Sequence, residues 1–255
     1  MLKTGNVTIQ GTTVQLNVGT KLADKKGPIL IYWHATGGNA AEVTTLGFTP
    51  AQIKEITDQG GIVASGNQST GKGMNTGNGV WYTDDFKIAD EVVACAVQQL
   101  NIDTHRIWTA GGSAGALQAG IMVFLRSSYL AASLPNSGGY TIGGSKFEDP
   151  SHIPPVMTMH GAPGSDVVIV DFSKQSAVLD HLVTTAGGFA IDCNHGGGHV
   201  AAPADLKADG YQFLKDHPFG VSPEPYAGGL PMNFPKYCKI WTKDDPIPSG
   251  AVGGM

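Results

Sequence analysis

A chain of 255 residues with 41% hydrophobic and 15% charged residues is long enough to bury a large core, and reads as folded and sparsely charged. Its net charge is −5 and it holds only two arginines, Arg106 and Arg126, so no basic surface exists to grip a phosphate backbone and nucleic acid is excluded as a partner. No apolar run approaches the ~20 residues of a membrane span, which excludes a helical membrane anchor within the chain.

Val7 and Ile9, then Val14, Leu16 and Val18, alternate with polar residues around Gln10-Gly11-Thr12, the pattern of a hairpin. Ile29–Trp33 is an unbroken apolar run after Gly27-Pro28 and predicts a strand covered on both faces. A helix follows at Pro50–Asp58, with proline in its first turn, then a short strand at Ile62–Ala64. Behind Thr83-Asp84-Asp85, apolar residues from Phe86 to Leu100 recur at helical spacing. A strand at Arg106–Ala110 leads into a helix at Ala116–Leu125. Val156–Met159 is the next clear strand, Val178–Val183 marks a helix stopped by Gly187-Gly188, Phe189–Ile191 is a last strand, and a helix at Ala204–Asp216 ends before Pro218. Strands alternating with helices predict one α/β domain over residues 1–217, with a mainly parallel sheet and helices on both faces. Residues 218–255 hold seven of the 15 prolines and read as an extended tail packing on that domain.

Gly111-Gly112-Ser113-Ala114-Gly115 lies where the Arg106–Ala110 strand gives way to a helix. A serine on so sharp a turn is forced into strained backbone angles with its hydroxyl projecting from the sheet, and the flanking glycines let strand and helix pass closely. Enzymes built this way place an acid and then a histidine past later strands. The Val156–Met159 strand is followed by His160-Gly161-Ala162-Pro163-Gly164-Ser165-Asp166, and the Phe189–Ile191 strand by Asp192-Cys193-Asn194-His195-Gly196-Gly197-Gly198-His199. A serine hydroxyl needs an imidazole to take its proton, and the imidazole needs a carboxylate to fix its tautomer. The oxyanion needs N–H donors, for which the backbone N–H groups of Ala114 and of Thr36, in the loop after Ile29–Trp33, are the candidates.

Together His34-Ala35-Thr36-Gly37-Gly38, the Ser113 turn, His160-Gly161 with Asp166, and Gly198-His199 resemble the α/β-hydrolase superfamily. Within it they look most like the polyhydroxybutyrate-depolymerase and feruloyl-esterase group of secreted serine esterases. Asn101-Ile102-Asp103-Thr104-His105-Arg106-Ile107-Trp108 is similar to that group's approach to its nucleophile. The resemblance implies a single α/β-hydrolase domain, Ser113 as nucleophile, Asp166 as acid, His199 as base and no cofactor. His34-Ala35 stands where the group often has His-Gly, and Asp166 lies further past Gly161 than is usual there, which leaves Asp171 as a second candidate acid.

His195 and His199 have a spacing that could suit two metal ligands on a helix, but the three glycines between them forbid a stable helix and no glutamate completes the motif, so no metal is expected. His199 ends the glycine run at the tip of a pliable loop and is the better base; His195 is a substrate contact or a loop hydrogen bonder. His34 orders the oxyanion loop, whereas His105, His181 and His217 read as surface residues. The stretch from Gly66 to Gly79 lacks the ending of a phosphate loop and reads as a mobile rim with Trp81 facing an acyl or aryl group. Trp33 and Tyr140 are further candidate substrate contacts, with core packing the alternative for all three. Cys193 and Cys238, both in Gly/Pro-rich context, are the candidate disulfide, and Cys95 is read as a buried free thiol.

Only about 25 residues separate the helix after Ser113 from the acid strand, too few for a large lid domain. The expected function is hydrolysis of bulky or polymeric esters, of polyester or feruloyl type, in an open cleft. A peptidase or amidase with the same residues is the alternative, followed by a non-catalytic binding protein on the same fold. Low charge favours a secreted or periplasmic protein, with a cytoplasmic one still open; Met1–Gly5 is not an apolar leader, so any leader is expected to be missing from this chain. The oligomeric state is left open.

Overall fold

A computed structural model describes residues 2–249. The chain opens with strands β1 (Gly5–Ile9) and β2 (Thr12–Val18), joined through Gln10 and Gly11. Both linking residues have positive φ, as the tightest hairpin turns require. The order continues with β3 (Gly27–Trp33), α1 (Pro50–Asp58), β4 (Ile62–Gly66), the short strands β5 (Asn75–Gly77) and β6 (Trp81–Tyr82), and α2 (Phe86–Gln99). Next come β7 (Ile102–Gly112), α3 (Ala114–Leu125), β8 (Ala132–Asn136), β9 (Val156–His160), α4 (Phe172–Thr185), β10 (Ala190–Asn194), α5 (Ala204–Asp216) and β11 (Cys238–Trp241).

Nine strands form one sheet in the order β1-β2-β4-β3-β7-β8-β9-β10-β11. The six from β4 to β10 are parallel, and the outer pairings β1–β2, β2–β4 and β10–β11 are antiparallel. The apolar run of β3 is explained by burial on both sides, because alternate residues feed opposite cores. Ile29, Ile31 and Trp33 join the core under α2, α3 and α4, while Leu30 and Tyr32 join the one under α1 and α5. Helix α1 starts with a capping box in which Thr49 and Gln52 exchange side-chain and backbone bonds, with Pro50 at the position where it has no N–H to waste. Helix α3 has no polar face because strands and neighbouring helices surround it.

Several expectations are corrected. Strand β8 went unread because Ala132-Ser133-Leu134-Pro135-Asn136 contains proline and no β-branched residue, yet it pairs with both β7 and β9. The tail is not wholly extended coil: β11 adds an antiparallel strand to β10, with Cys193 directly opposite Cys238. Their disulfide therefore joins two strands at the sheet edge and not two loops. Cys95 is free and half-buried. His217 is not a surface residue; it is buried between Phe213 and Tyr226, with its ring nitrogens on the Phe213 carbonyl (2.7 Å) and on Glu224 (2.8 Å).

The glycine-rich segment before α2 is likewise held. The buried Asp85 carboxylate accepts bonds from the Ser69 hydroxyl, the Thr70 N–H and hydroxyl, and the Tyr82 N–H, all at 2.6–2.8 Å. The β5–β6 ribbon thus lies against α3, and a Cβ on Gly77 would fall 2.4 Å from the Ala114 carbonyl oxygen.

Candidate active site

The loops that follow β3, β7, β9 and β10 meet at the C-terminal edge of the parallel strands, where ligands bind in open α/β sheets. Ser113 stands between β7 and α3 with φ 52° and ψ −118°, the strained geometry expected of it. Two glycines make the turn possible. A Cβ on Gly115 would lie 1.9 Å from the Trp33 carbonyl oxygen, and one on Gly111 would lie 2.4 Å from the Gly115 carbonyl. The Ser113 N–H bonds to the Asn136 carbonyl at 3.0 Å, which ties the turn to the end of β8.

His199 reaches Ser113 from the loop after β10, with its Nε2 2.8 Å from Oγ. Its Nδ1 lies 2.7 Å from Asp166 Oδ1, and its ring rests on Phe172. Asp166 is fully buried, and its Oδ2 accepts from the Ser137 hydroxyl and the Gly161 N–H, each at 2.8 Å. Burial alone would raise the Asp166 pKa, but the bonds from His199, Gly161 and Ser137 outweigh it and hold the carboxyl below its ordinary value. An ionised acceptor at Nδ1 keeps the ring proton there and leaves Nε2 to accept from the serine hydroxyl.

Asp171, the second candidate, is elsewhere: it caps α4, taking bonds from the Ser173 N–H (3.2 Å) and hydroxyl (2.6 Å). His195 does not line the cleft. Its N–H bonds to the His160 carbonyl and its Nδ1 accepts from the Gly197 N–H, so it orders the loop that carries His199. Trp33, Trp81 and Tyr140 are core residues and not substrate contacts. Trp33 donates to Thr109 Oγ1, Trp81 donates to the His34 carbonyl, and Tyr140 packs against Phe124 while its hydroxyl accepts from the Ser145 N–H.

The two expected oxyanion donors border the cleft. Ala114 is the first residue of α3, where an N–H has no acceptor inside its helix and the helix dipole favours negative charge. Thr36 lies in the loop after β3, and its N–H has no acceptor among the described residues. That loop is shaped by Glu42, a residue sequence reasoning missed. Glu42 Oε1 accepts from the Ala35 N–H at 2.8 Å and from the Tyr32 hydroxyl at 3.1 Å. His34, expected to order the same loop, places its ring nitrogens near the Ala35 and Asn67 carbonyls.

Ser137 was also missed. It follows the unread strand β8, has φ 51°, donates to Asp166 and accepts from the Val200 N–H at 2.8 Å, so one hydroxyl bridges the acid and histidine loops. Its place just past a strand was the available signal, and that strand went unread. The cleft encloses about 560 Å3 between the Thr36 loop, Leu46, Asn78, Leu117, Val168–Ile169 and His199. Among the described residues no group of three or more histidine, cysteine or acidic side chains is placed to hold a metal ion, and no helix is long and apolar enough to cross a membrane.

No protein-family model matches the chain, and no curated protein does. Solved structures match over most of it. The native form of pOPH is 16% identical with a TM-score of 0.72, covering 94% of each chain. A carboxylesterase of Bacillus cereus is 18% identical with a TM-score of 0.58, covering 80% of this chain and 93% of that one. A hyperthermophilic esterase from the archaeon Pyrobaculum calidifontis is 15% identical with a TM-score of 0.55, covering 82% and 81%. With the sheet order above, these likenesses establish the α/β-hydrolase fold.

Proposed function

We propose that the chain is a serine carboxylic-ester hydrolase that works through an acyl-enzyme. The observation that carries this reading is the hydrogen-bonded chain from Ser113 through His199 to a buried, ionised Asp166 at 2.8 and 2.7 Å. The two esterases of like fold add support at the level of reaction class.

His199 takes the Ser113 proton as Oγ attacks the ester carbonyl, and Asp166 stabilises the imidazolium that forms. The carbonyl oxygen becomes an oxyanion facing the Thr36 and Ala114 N–H groups. Donors that are fixed beforehand need no reorganisation at that moment, and each is worth ~3 kcal/mol. Collapse breaks the bond to the alcohol, which leaves with the proton from His199. Water then repeats the sequence on the acyl-serine, with His199 first taking the water's proton and then returning one to Ser113.

Bulky or polymeric esters suit the site, because the segment between α3 and β9 carries strand β8 and no helical cap. The Cys193–Cys238 bridge accords with an oxidising compartment, hence with a secreted or periplasmic protein. A fluorophosphonate probe should label Ser113, and purified protein should hydrolyse aryl esters faster than the matched amides. Labelling elsewhere, or faster turnover of the amides, would overturn the assignment.

A further inference from the structure

Beyond Ile169 a second cavity of about 280 Å3 adjoins the catalytic cleft, and Asn78, Leu117 and Ile169 line both. The far part is walled by residues that include Thr141, Ile142 and Val170, and no residue lining it carries a charge. At the divide, three consecutive apolar side chains stand in solvent: Val167, Val168 and Ile169 are 47%, 59% and 56% exposed. Such a run is costly to leave wet and marks a surface that gains by being covered.

The ridge is held in place. The Phe172 N–H bonds to the Asp166 carbonyl at 2.9 Å, the Val168 N–H to the Val170 carbonyl at 3.3 Å, and Val167 bridges Asp171. The residue that begins this loop is the acid hydrogen-bonded to His199, so the ridge sits at a set distance from Ser113. From the far side, the Thr141 hydroxyl bonds to the Thr76 carbonyl and fixes the opposite wall to the β5–β6 ribbon.

We propose that the second cavity is a substrate subsite that takes an uncharged, mainly hydrocarbon arm of the ester, laid over Ile169 from the catalytic cleft. The proposal rests on the ester-hydrolase reading above. Adjacency to the cleft identifies the occupant, since Asn78, Leu117 and Ile169 line both spaces and a chain leaving the ester carbonyl past Leu117 reaches the second one over Ile169. The lining identifies the chemistry. Four of the eight lining residues, Leu117, Ile142, Ile169 and Val170, gain by covering methylene groups, the other four offer only uncharged amides and hydroxyls, and a charged terminus would be desolvated with no partner of opposite sign.

The test is kcat/KM over two series, p-nitrophenyl alkanoates from acetate to decanoate and alkyl acetates from methyl to decyl. Each is measured on the wild type, Thr141→Trp, which fills the far cavity, and Ile169→Asp, which puts a carboxylate on the divide. The quantity read is the ratio of longest to shortest substrate within one protein, which cancels any loss of folded enzyme. In the series whose arm enters the subsite, both variants should lower that ratio at least ~10-fold, since even one methylene in a fitted pocket is worth ~10-fold or more. Should Thr141→Trp fail to fold, Ile169→Asp on an exposed position still decides. Ratios unchanged in both series would overturn the subsite alone; no turnover of the acetates by the wild type would overturn the ester-hydrolase reading and the subsite with it.

Discussion

Replacing Glu42 by alanine should damage catalysis without unfolding the protein. The substitution removes the acceptor for the Ala35 N–H at 2.8 Å and for the Tyr32 hydroxyl at 3.1 Å. Leaving a buried N–H unpaired costs ~1–3 kcal/mol, so the Ala35 peptide turns toward another acceptor. Thr36 is the next residue and moves with it. Complete loss of one oxyanion donor costs ~10²–10³ in kcat. A displaced donor that still finds the oxyanion part of the time should cost ~10–100-fold, or ~1.4–2.7 kcal/mol. The ground-state carbonyl gains little from this donor, so KM should stay within ~2-fold. Glu42→Gln keeps an oxygen where both donors point and should stay within ~3-fold of wild type in kcat. Burial raises the Glu42 carboxyl above its ordinary value, against the downward pull of the Ala35 and Tyr32 bonds, so replacing it by an uncharged amide costs less here than at an exposed carboxylate. Steady-state kinetics on p-nitrophenyl acetate and a thermal melt of each variant are the assays. Wild-type kcat in Glu42→Ala, or equal damage from Gln and Ala, would refute the reasoning.

Ser113→Ala should lose ~10⁶ in kcat with an unchanged circular dichroism spectrum, and His199→Ala should be nearly as damaging, with a double mutant little worse than either. His195→Ala should cost ~10-fold or less, since that ring only orders the loop; the reverse ranking of the two histidines in kcat would move the base. Ser137→Ala removes one of the bonds that hold the Asp166 pKa down against burial. A depressed carboxyl contributes stability at neutral pH that is lost as pH falls through the folded-state value, so acid unfolding of Ser137→Ala, followed by circular dichroism, should begin at higher pH; an unmoved acid-unfolding midpoint would count against the bridge. Thiol titration of denatured, unreduced protein should find one cysteine, Cys95. Reduction should lower the melting temperature, because a bridge across a sequence separation of 45 is worth ~4 kcal/mol on the chain-entropy model, and three free thiols would exclude the bridge.

What could be read from the chain was whatever local pattern decides. The strand that holds Ile29–Trp33 announces itself by an apolar run, α1 by the proline of its first turn, and the Ser113 turn by glycines that no larger residue could replace. Asp166 and His199 were legible because each follows a recognisable strand. The residues that went unread act through tertiary contacts. Glu42 is ten residues from Tyr32 and seven from Ala35, in a segment without regular periodicity, and nothing local says that its carboxyl turns back under the loop. Trp33 and Trp81 misled for a related reason: an aromatic beside a catalytic loop looks like a ligand contact, but alternation along β3 sends Trp33 inward, and Trp81 fills the space beneath His34.

The acid loop shows why position and recognition are joined in this site. Between Gly161 and Phe172 the chain must deliver one carboxylate to His199 and then enter α4. It does so with Asp166 anchored on Gly161 and Ser137, and with Asp171 capping the helix. The four residues between those two aspartates, Val167–Val170, are all apolar, and nothing in the anchoring requires them to be. Hydrogen bonds at both ends are made by Asp166 and Asp171, so the side chains between contribute nothing to them, and Val167, Val168 and Ile169 are exposed at a cost. A span that served only as a connector would be filled with polar residues at no loss of geometry. Its composition is therefore explained by what covers it during turnover, and its rigidity by the acid at its root. Asp166 is already buried, whereas the His199 side chain is 23% exposed and borders the cleft. A substrate arm in the cleft that displaces water from that ring strengthens its pairing with Asp166 as the imidazolium forms, so long esters should show a higher kcat as well as a lower KM. Measuring the two constants separately along the alkanoate series checks this: a gain confined to KM would show that the ridge only binds.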